Sequence, residues 1–350
     1  MRIVRVPTTD GVVLEVQDHG VSASSPGGPG VERETPLTML LAHANGFHGR
    51  VFDPAVRALR DAGRPVRVIT FDARAHGAST PPSATDPTRR AAALRWETFA
   101  DDLVAVARAM RVDGRCVAVG HSLGAHAALR AEAKHPGTFT SIYAFEPIFV
   151  VPESKLPPRT RKTPLAEAAA RRRRRFESKR DAARAFRSKP PLSVLHPDAL
   201  RAYVEHGFVD EPKTYDEDGD ERGGGARLAM SPEDESAVFA AGADERDALD
   251  RVRGRVRCPV TVARGSTRDP MDPRFVSYAA AVAPIVAAAL GPLATTEDAP
   301  GMNHFGPVQD PEAFAESVWR HVDRCAALEK RDGGGTVAGE RERVRLRSRL

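Results

Sequence analysis

Between Val117 and Arg130 the chain reads VAVGHSLGAHAALR. A short apolar run stops at Gly120, and a run of small, helix-forming residues begins just beyond Gly124. One serine, Ser122, is left at the corner between the two glycines. A strand that turns into a helix over so few residues needs flanking positions without side chains, because the two backbones approach closely there. The corner also lifts Ser122 to a helix N-terminus, where free N–H groups and the helix dipole favour developing negative charge. A chain with such a corner is committed to strand-then-helix units, and it must supply a base, an acid and oxyanion donors at other strand ends if the serine is a nucleophile.

The rest of the sequence repeats that unit. RIVRVP, a turn at Thr9-Asp10-Gly11 and VVLEV predict an opening hairpin. The Pro, Gly and Ser of Ser22 to Thr35 predict a loop. TMLLAH, RVITFDARAHG, CVAVG, SIYAF and CPVTVARG are short buried strands, each bounded by turn signals. Helical patterns lie between them: PAVRALRDAG stops at Gly63, and Trp96, Phe99, Leu103, Val106 and Met110 recur on one face. Alternation of this kind predicts an α/β architecture with a mostly parallel central sheet and helices on both faces. It is interrupted from about Pro147 to Arg257, where LAEAAARRRRRFESKRDAARAF and DALRAYVEHGF read as helices, with the polar stretch YDEDGDERGGGAR after them. The expected organisation is a core in two parts, 1–146 and 258–330, a helical cap inserted at 147–257, and a basic tail at 331–350.

Composition sets the outer bounds. The 350 residues are 41% hydrophobic and 28% charged, enough for one large core and an accessory lobe. The net charge of +5 is concentrated in Arg171 to Arg175 and in the last twenty residues, which hold six arginines against three acids. Without zinc-finger spacing or a basic stripe interleaved with aromatics, this reads as solvated charge and excludes a nucleic-acid partner. Three scattered cysteines, Cys116, Cys258 and Cys325, fit a reducing compartment and no disulfide framework. No apolar run is long enough to span a bilayer, and MRIVRVPTTDG lacks a signal-peptide core, so an intracellular protein is expected. No metal or organic cofactor is implied.

Four motifs, HANGF (His43 to Phe47), FDARAHGAS (Phe71 to Ser79), GHSLG (Gly120 to Gly124) and GMNHFG (Gly301 to Gly306), resemble those of the α/β-hydrolase superfamily, in the branch with an inserted cap shared by esterases, lipases, epoxide hydrolases and haloalkane dehalogenases. The resemblance implies Ser122 as nucleophile and His304, after the last strand, as base. For the acid it implies Asp269, in the turn RGSTRD after the cap, with Glu146 at the end of the preceding strand as the alternative and Asp272 as a third option. It implies oxyanion donors at the backbone of Leu123 and Asn45. The family's histidine-glycine pair reads His43-Ala44 here, a departure in the oxyanion loop. His43, His76 and His121 match positions that the family uses structurally.

A serine nucleophile sets the chain apart from the epoxide hydrolases and dehalogenases, which attack with aspartate, and suits acyl chemistry. The expectation is therefore hydrolysis of a carboxylic ester or thioester of a lipid or small acyl group. An acyltransferase or lyase on the same triad, or a ligand-binding homologue without activity, is the alternative. The last three residues, Ser348, Arg349 and Leu350, resemble the S-K-L peroxisomal address and imply an import receptor and a peroxisomal location in a eukaryote, a cytoplasmic one otherwise.

Overall fold

In the computed structural model, residues 1–22, 36–83, 86–161, 164–215, 221–266, 268, 272 and 274–333 are described. The Ser22 to Thr35 loop beyond Ser22, the centre of the polar stretch after Tyr215, Asp269 and the tripeptide Ser348, Arg349 and Leu350 lie outside them.

The opening hairpin forms from β1 (Arg2–Pro7) and β2 (Val13–Val21), with Gly11 supplying the left-handed turn residue at φ 84°. The buried runs become β3 (Leu37–Ala42), β4 (Val66–Phe71), β5 (Cys116–His121), β6 (Ser141–Phe145) and β7 (Val260–Arg264), and the more exposed β8 (Ala294–Asp298) follows them. They join in one sheet of order β1-β2-β4-β3-β5-β6-β7-β8. From β4 to β8 every pairing is parallel, and the hairpin adds two antiparallel pairings at one edge. Parallel strands are covered on both faces and so read as unbroken apolar runs, which is the pattern of LTMLLA and SIYAF.

The helices that cover the sheet are α1 (Asp53–Asp61), α2 (Trp96–Ala109) and α3 (Leu123–Lys134) before β6, then α7 (Tyr278–Leu290) and α8 (Pro311–Gly333) around β8. Side chains alternate across each strand, and two cores result. Leu40, Ala118, Ile142 and Val262 pack with α2, α3 and α7, while Met39, Val119, Tyr143 and Phe145 pack with α1 and α8. The predicted face of α2 is fully used, since Trp96, Phe99, Leu103, Val106 and Met110 are all buried. On the other face Trp319 of α8 donates from Nε1 to Leu59 O (3.2 Å) in α1.

Between β6 and β7 the chain leaves the sheet and adds α4 (Lys179–Arg187), α5 (Pro197–Gly207) and α6 (Pro232–Ala241), with shorter helices at Leu165–Ala170 and Ala248–Val252. This segment is not purely helical. Short strands Arg175–Phe176, Ala226–Leu228 and Phe208–Asp210 form a three-stranded sheet, and Thr160–Arg161 pairs in parallel with Val276–Ser277 beyond β7. The single long helix expected from Leu165 to Phe186 is split because Ser178 caps a new helix, its side chain accepting from Asp181 N. The arginine run therefore falls in a turn and a strand and not around a helix. Arg171, Arg173, Arg174 and Arg175 are solvated as expected; Arg172, at 22% side-chain exposure, is turned inward. No described helix is long and apolar enough to cross a membrane.

Candidate active site

Ser122 links β5 to α3 with φ 55° and ψ −112°, a backbone conformation that side chains rarely adopt. Its N–H donates to Phe145 O (3.0 Å) and its carbonyl accepts from His126 N (3.0 Å), so both neighbouring elements fix the corner. The two glycines are sterically required. A Cβ at Gly120 would stand 2.6 Å from the backbone nitrogen of Ala125, and one at Gly124 would stand 2.8 Å from the carbonyl oxygen of His43. Gly124 thereby lets α3 come down onto the end of β3, beside the loop that contains Asn45.

His304 follows β8. Its Nδ1 lies 2.7 Å from Oε2 of Glu146, and its carbonyl accepts from Nε2 of His121 (2.7 Å). Because His121 immediately precedes Ser122, this bond ties the backbone of the histidine loop to the elbow. Burial, followed by the charge of the nearby His304, pushes the His121 pKa well below 6.5 and keeps the ring neutral. Gly265 makes room for the loop, since a Cβ there would meet the Met302 carbonyl oxygen at 2.6 Å.

Glu146 follows β6 with φ 45° and no solvent exposure. Its second oxygen accepts from Gly265 N (2.9 Å), and its own N–H donates to Ala263 O (2.8 Å). The carboxylate on His304 is therefore that of Glu146, the second expectation. Asp269, the first, lies outside the described residues. Asp272 does not fill this position; its carboxylate is held by Arg274 (2.9 and 2.7 Å).

Leu123 is the first residue of α3, and Asn45 lies in the loop after β3. Ala42 at the end of β3 pairs with Gly120, so the two backbones run side by side at the serine. His43 organises this loop, with Nδ1 bonded to Ala44 O (2.8 Å) and Nε2 accepting from Ala73 N (2.9 Å). Burial, with the neighbouring His76 adding to it, lowers the His43 pKa to about 3, so this pattern of one donor and one acceptor is stable. The left-handed residue of the loop is Gly46, at φ 78°, and not position 44, which explains how alanine is tolerated after the histidine. His76 receives Gly46 N at Nε2 (3.0 Å) and is likewise neutral, its pKa lowered by burial to about 4.

FDARAHGAS is scaffold. Asp72 accepts from Gly49 N and Ala78 N (both 2.8 Å), and Arg74 forks onto the buried Asp102 (2.7 and 2.6 Å). Among the described residues no group of three or more His, Cys, Asp or Glu is placed to hold a metal ion.

The contacts made from outside the sheet are not legible in these motifs. Arg172 pairs with the carboxylate of Glu235 and donates from Nη2 to Tyr203 Oη (2.6 Å). Glu235 and Tyr203 in turn touch the Asn45 loop. Five adjacent arginines look alike in sequence, and only tertiary packing selects the one that points inward.

A curated relative from Mesorhizobium japonicum, named 2-(acetamidomethylene)succinate hydrolase, is 31% identical over 115 residues, which is 33% of this chain and 37% of the relative. The match thus spans little more than a third of that protein's length. A solved E-2-(acetamidomethylene)succinate hydrolase superposes with a TM-score of 0.64 at 21% identity, covering 92% of this chain and all of the other. A deformylase of N-formylmaleamic acid from Pseudomonas putida gives 0.60 at 17% identity, over 91% of this chain and all of the other. The model for the alpha/beta hydrolase family matches residues 39–317, from β3 into the first turns of α8, and so includes the serine corner, Glu146 and the histidine loop. Taken with the sheet order and the corner at Ser122, that match establishes that the chain belongs to the α/β-hydrolase family.

Proposed function

We propose that the protein is a serine hydrolase that cleaves carboxylic esters or thioesters of small acyl or lipid acids through an acyl-enzyme on Ser122. The observation that carries this reading is the 2.7 Å bond between His304 and the buried Glu146, formed by a histidine whose backbone is tied to the residue before Ser122. Glu146 accepts a hydrogen bond from Nδ1–H and so leaves Nε2 of His304 as the basic nitrogen. As Ser122 Oγ attacks the acyl carbon, its proton passes to that nitrogen, and the carbonyl oxygen takes the electron pair as an oxyanion. The N–H groups of Leu123 and Asn45 receive that charge without reorganising. Collapse expels the alcohol or thiol, which takes the proton from His304. Water then repeats the sequence against the acyl-enzyme, releasing the acid and restoring the serine.

Cleavage of an amide is a second reading, favoured by the names of the acetamidomethylenesuccinate hydrolases and the deformylase. It uses the same steps with an amine as leaving group. Turnover of p-nitrophenyl esters of increasing chain length, set against acyl-CoA thioesters and N-acyl amides, tests both readings. Release of product by the wild-type protein, lost in Ser122→Ala, supports hydrolysis, and the preferred series identifies the acyl class. Transfer to added alcohol or thiol acceptors in preference to water would favour an acyltransferase. A folded wild-type protein inert on all three series would leave the non-catalytic alternative.

A further inference from the structure

The loop that bears Asn45 is held from two sides. On the core side His43 and His76 fix Ala44 and Gly46. The other side is held by the segment between β6 and β7. Asn45 Nδ2 donates to Glu235 O (3.2 Å), and the Glu235 carboxylate rests on Gly46 so closely that a Cβ there would stand 2.7 Å from Oε1. Tyr203 packs edge-on to Phe47, ring centroids 5.4 Å apart, and its carbonyl accepts from His48 Nε2 (3.2 Å). Arg172 spans the two gripping residues, pairing with Glu235 and donating to Tyr203 Oη.

Glu235 is itself immobilised. Its helix, α6, is anchored to the core by Arg90, which forks onto Asp234 (2.7 and 2.6 Å), and by Trp96 Nε1, which donates to Val238 O (2.7 Å). The grip on the loop is therefore rigid, and it is set by residues that belong to none of the four motifs. A guanidinium presents its donors in a fixed planar fork, so one Arg172 defines the separation of Glu235 and Tyr203. Its charge also offsets the carboxylate that rests on Gly46, the residue after Asn45.

We propose that Arg172 and Glu235, with Tyr203, are positioning residues for the oxyanion loop, so that the aim of the Asn45 N–H is set by the segment outside the sheet and not by the core alone. The inference rests on the reading of Asn45 as an oxyanion donor, and it has a structural consequence that does not depend on turnover. Without Arg172 the link between Glu235 and Tyr203 is lost, and the carboxylate of Glu235 is left uncompensated beside the loop. Both changes lower the rate of acylation more than they weaken substrate binding.

The test compares wild type with Arg172→Met, Arg172→Lys and Tyr203→Phe, using backbone hydrogen exchange and p-nitrophenyl acetate kinetics. In Arg172→Met, exchange across residues 43–48 is expected to rise by about tenfold or more while β3 is unchanged, because local opening is governed by local contacts. Over the same comparison kcat should fall about 10- to 100-fold with KM within about threefold, the signature of an interaction felt in the transition state. Tyr203→Phe should move both readouts in the same direction by less. Arg172→Lys keeps the charge without the fork and should fall between wild type and Arg172→Met. Should Arg172→Met fail to fold, Arg172→Lys and Tyr203→Phe carry the comparison. Unchanged exchange of the loop in folded variants, or a loss carried by KM alone, would overturn the proposal. If the wild type turns nothing over and the loop still loosens, the grip stands and the hydrolase reading falls.

Discussion

Glu146 and His304 show how a residue's role depends on the backbone that carries it. Both Asp269 and Glu146 follow a strand end, and either suits an acid by sequence. Glu146 adopts φ 45° after β6, and from there its carboxylate reaches Gly265, just after the neighbouring β7, and the histidine loop beyond β8. Glu146→Gln preserves the acceptor for Gly265 N while presenting an amide that favours the wrong histidine tautomer. We predict that it lowers kcat by about three to four orders of magnitude with little change in KM, as for removal of the orienting acid in serine triads. Asp269→Asn should retain activity within about threefold, a change smaller than that expected for any group touching the reacting centre. The reverse ranking in steady-state kinetics would return the role to Asp269. The corner at Ser122 and the histidine loop were legible because each sits in a local motif with its own steric demands. The choice between the acids was not, because it turns on a bond between residues 158 positions apart.

At the scale of elements, the glycines around Ser122 allow a strand, a helix and the end of β3 to meet. Replacing Gly124 with alanine drives a methyl group into the carbonyls of Ala42 and His43, which are backbone atoms that cannot swing away. We predict a loss of about 1–3 kcal/mol in urea unfolding, the range for overpacked interiors, together with loss of turnover. Equal stability and activity in the variant would refute the steric account. The strands and helices of the core were readable because their apolar patterns are long and buried on both faces. The segment between β6 and β7 was not readable in the same way: its strands are two or three residues long, and their pairing depends on tertiary contacts. Its helical content was visible in DALRAYVEHGF, which became α5, whereas the break at Ser178 was hidden within a charged run.

The whole molecule holds a reserve of neutral histidines. Of eleven in the chain, His19, His43, His48, His76, His121, His126, His206 and His321 all have lowered pKa values, with burial the leading cause in each. Above about pH 6.5 they are neutral whether the chain is folded or unfolded, and they add no pH dependence. Below it the unfolded chain takes up protons that the folded histidines refuse, so these groups lower stability as the pH drops from 6.5 towards 4. Tm measured across that window should decline steeply, and replacing the buried His321 by glutamine should flatten part of the decline. A flat Tm profile from pH 7 to pH 4.5 would contradict the neutral assignment, on which the bonds of His43, His76 and His121 around the site depend.

The proposed chemistry begins at one atom, the hydroxyl oxygen of Ser122. The most direct measurement is the intact and peptide mass of the protein after exposure to a fluorophosphonate, compared with Ser122→Ala. One adduct per chain, located on the peptide containing Ser122 and absent from the variant, is the predicted result. A folded wild-type protein that remains unmodified, or an adduct that persists in Ser122→Ala, would contradict the account.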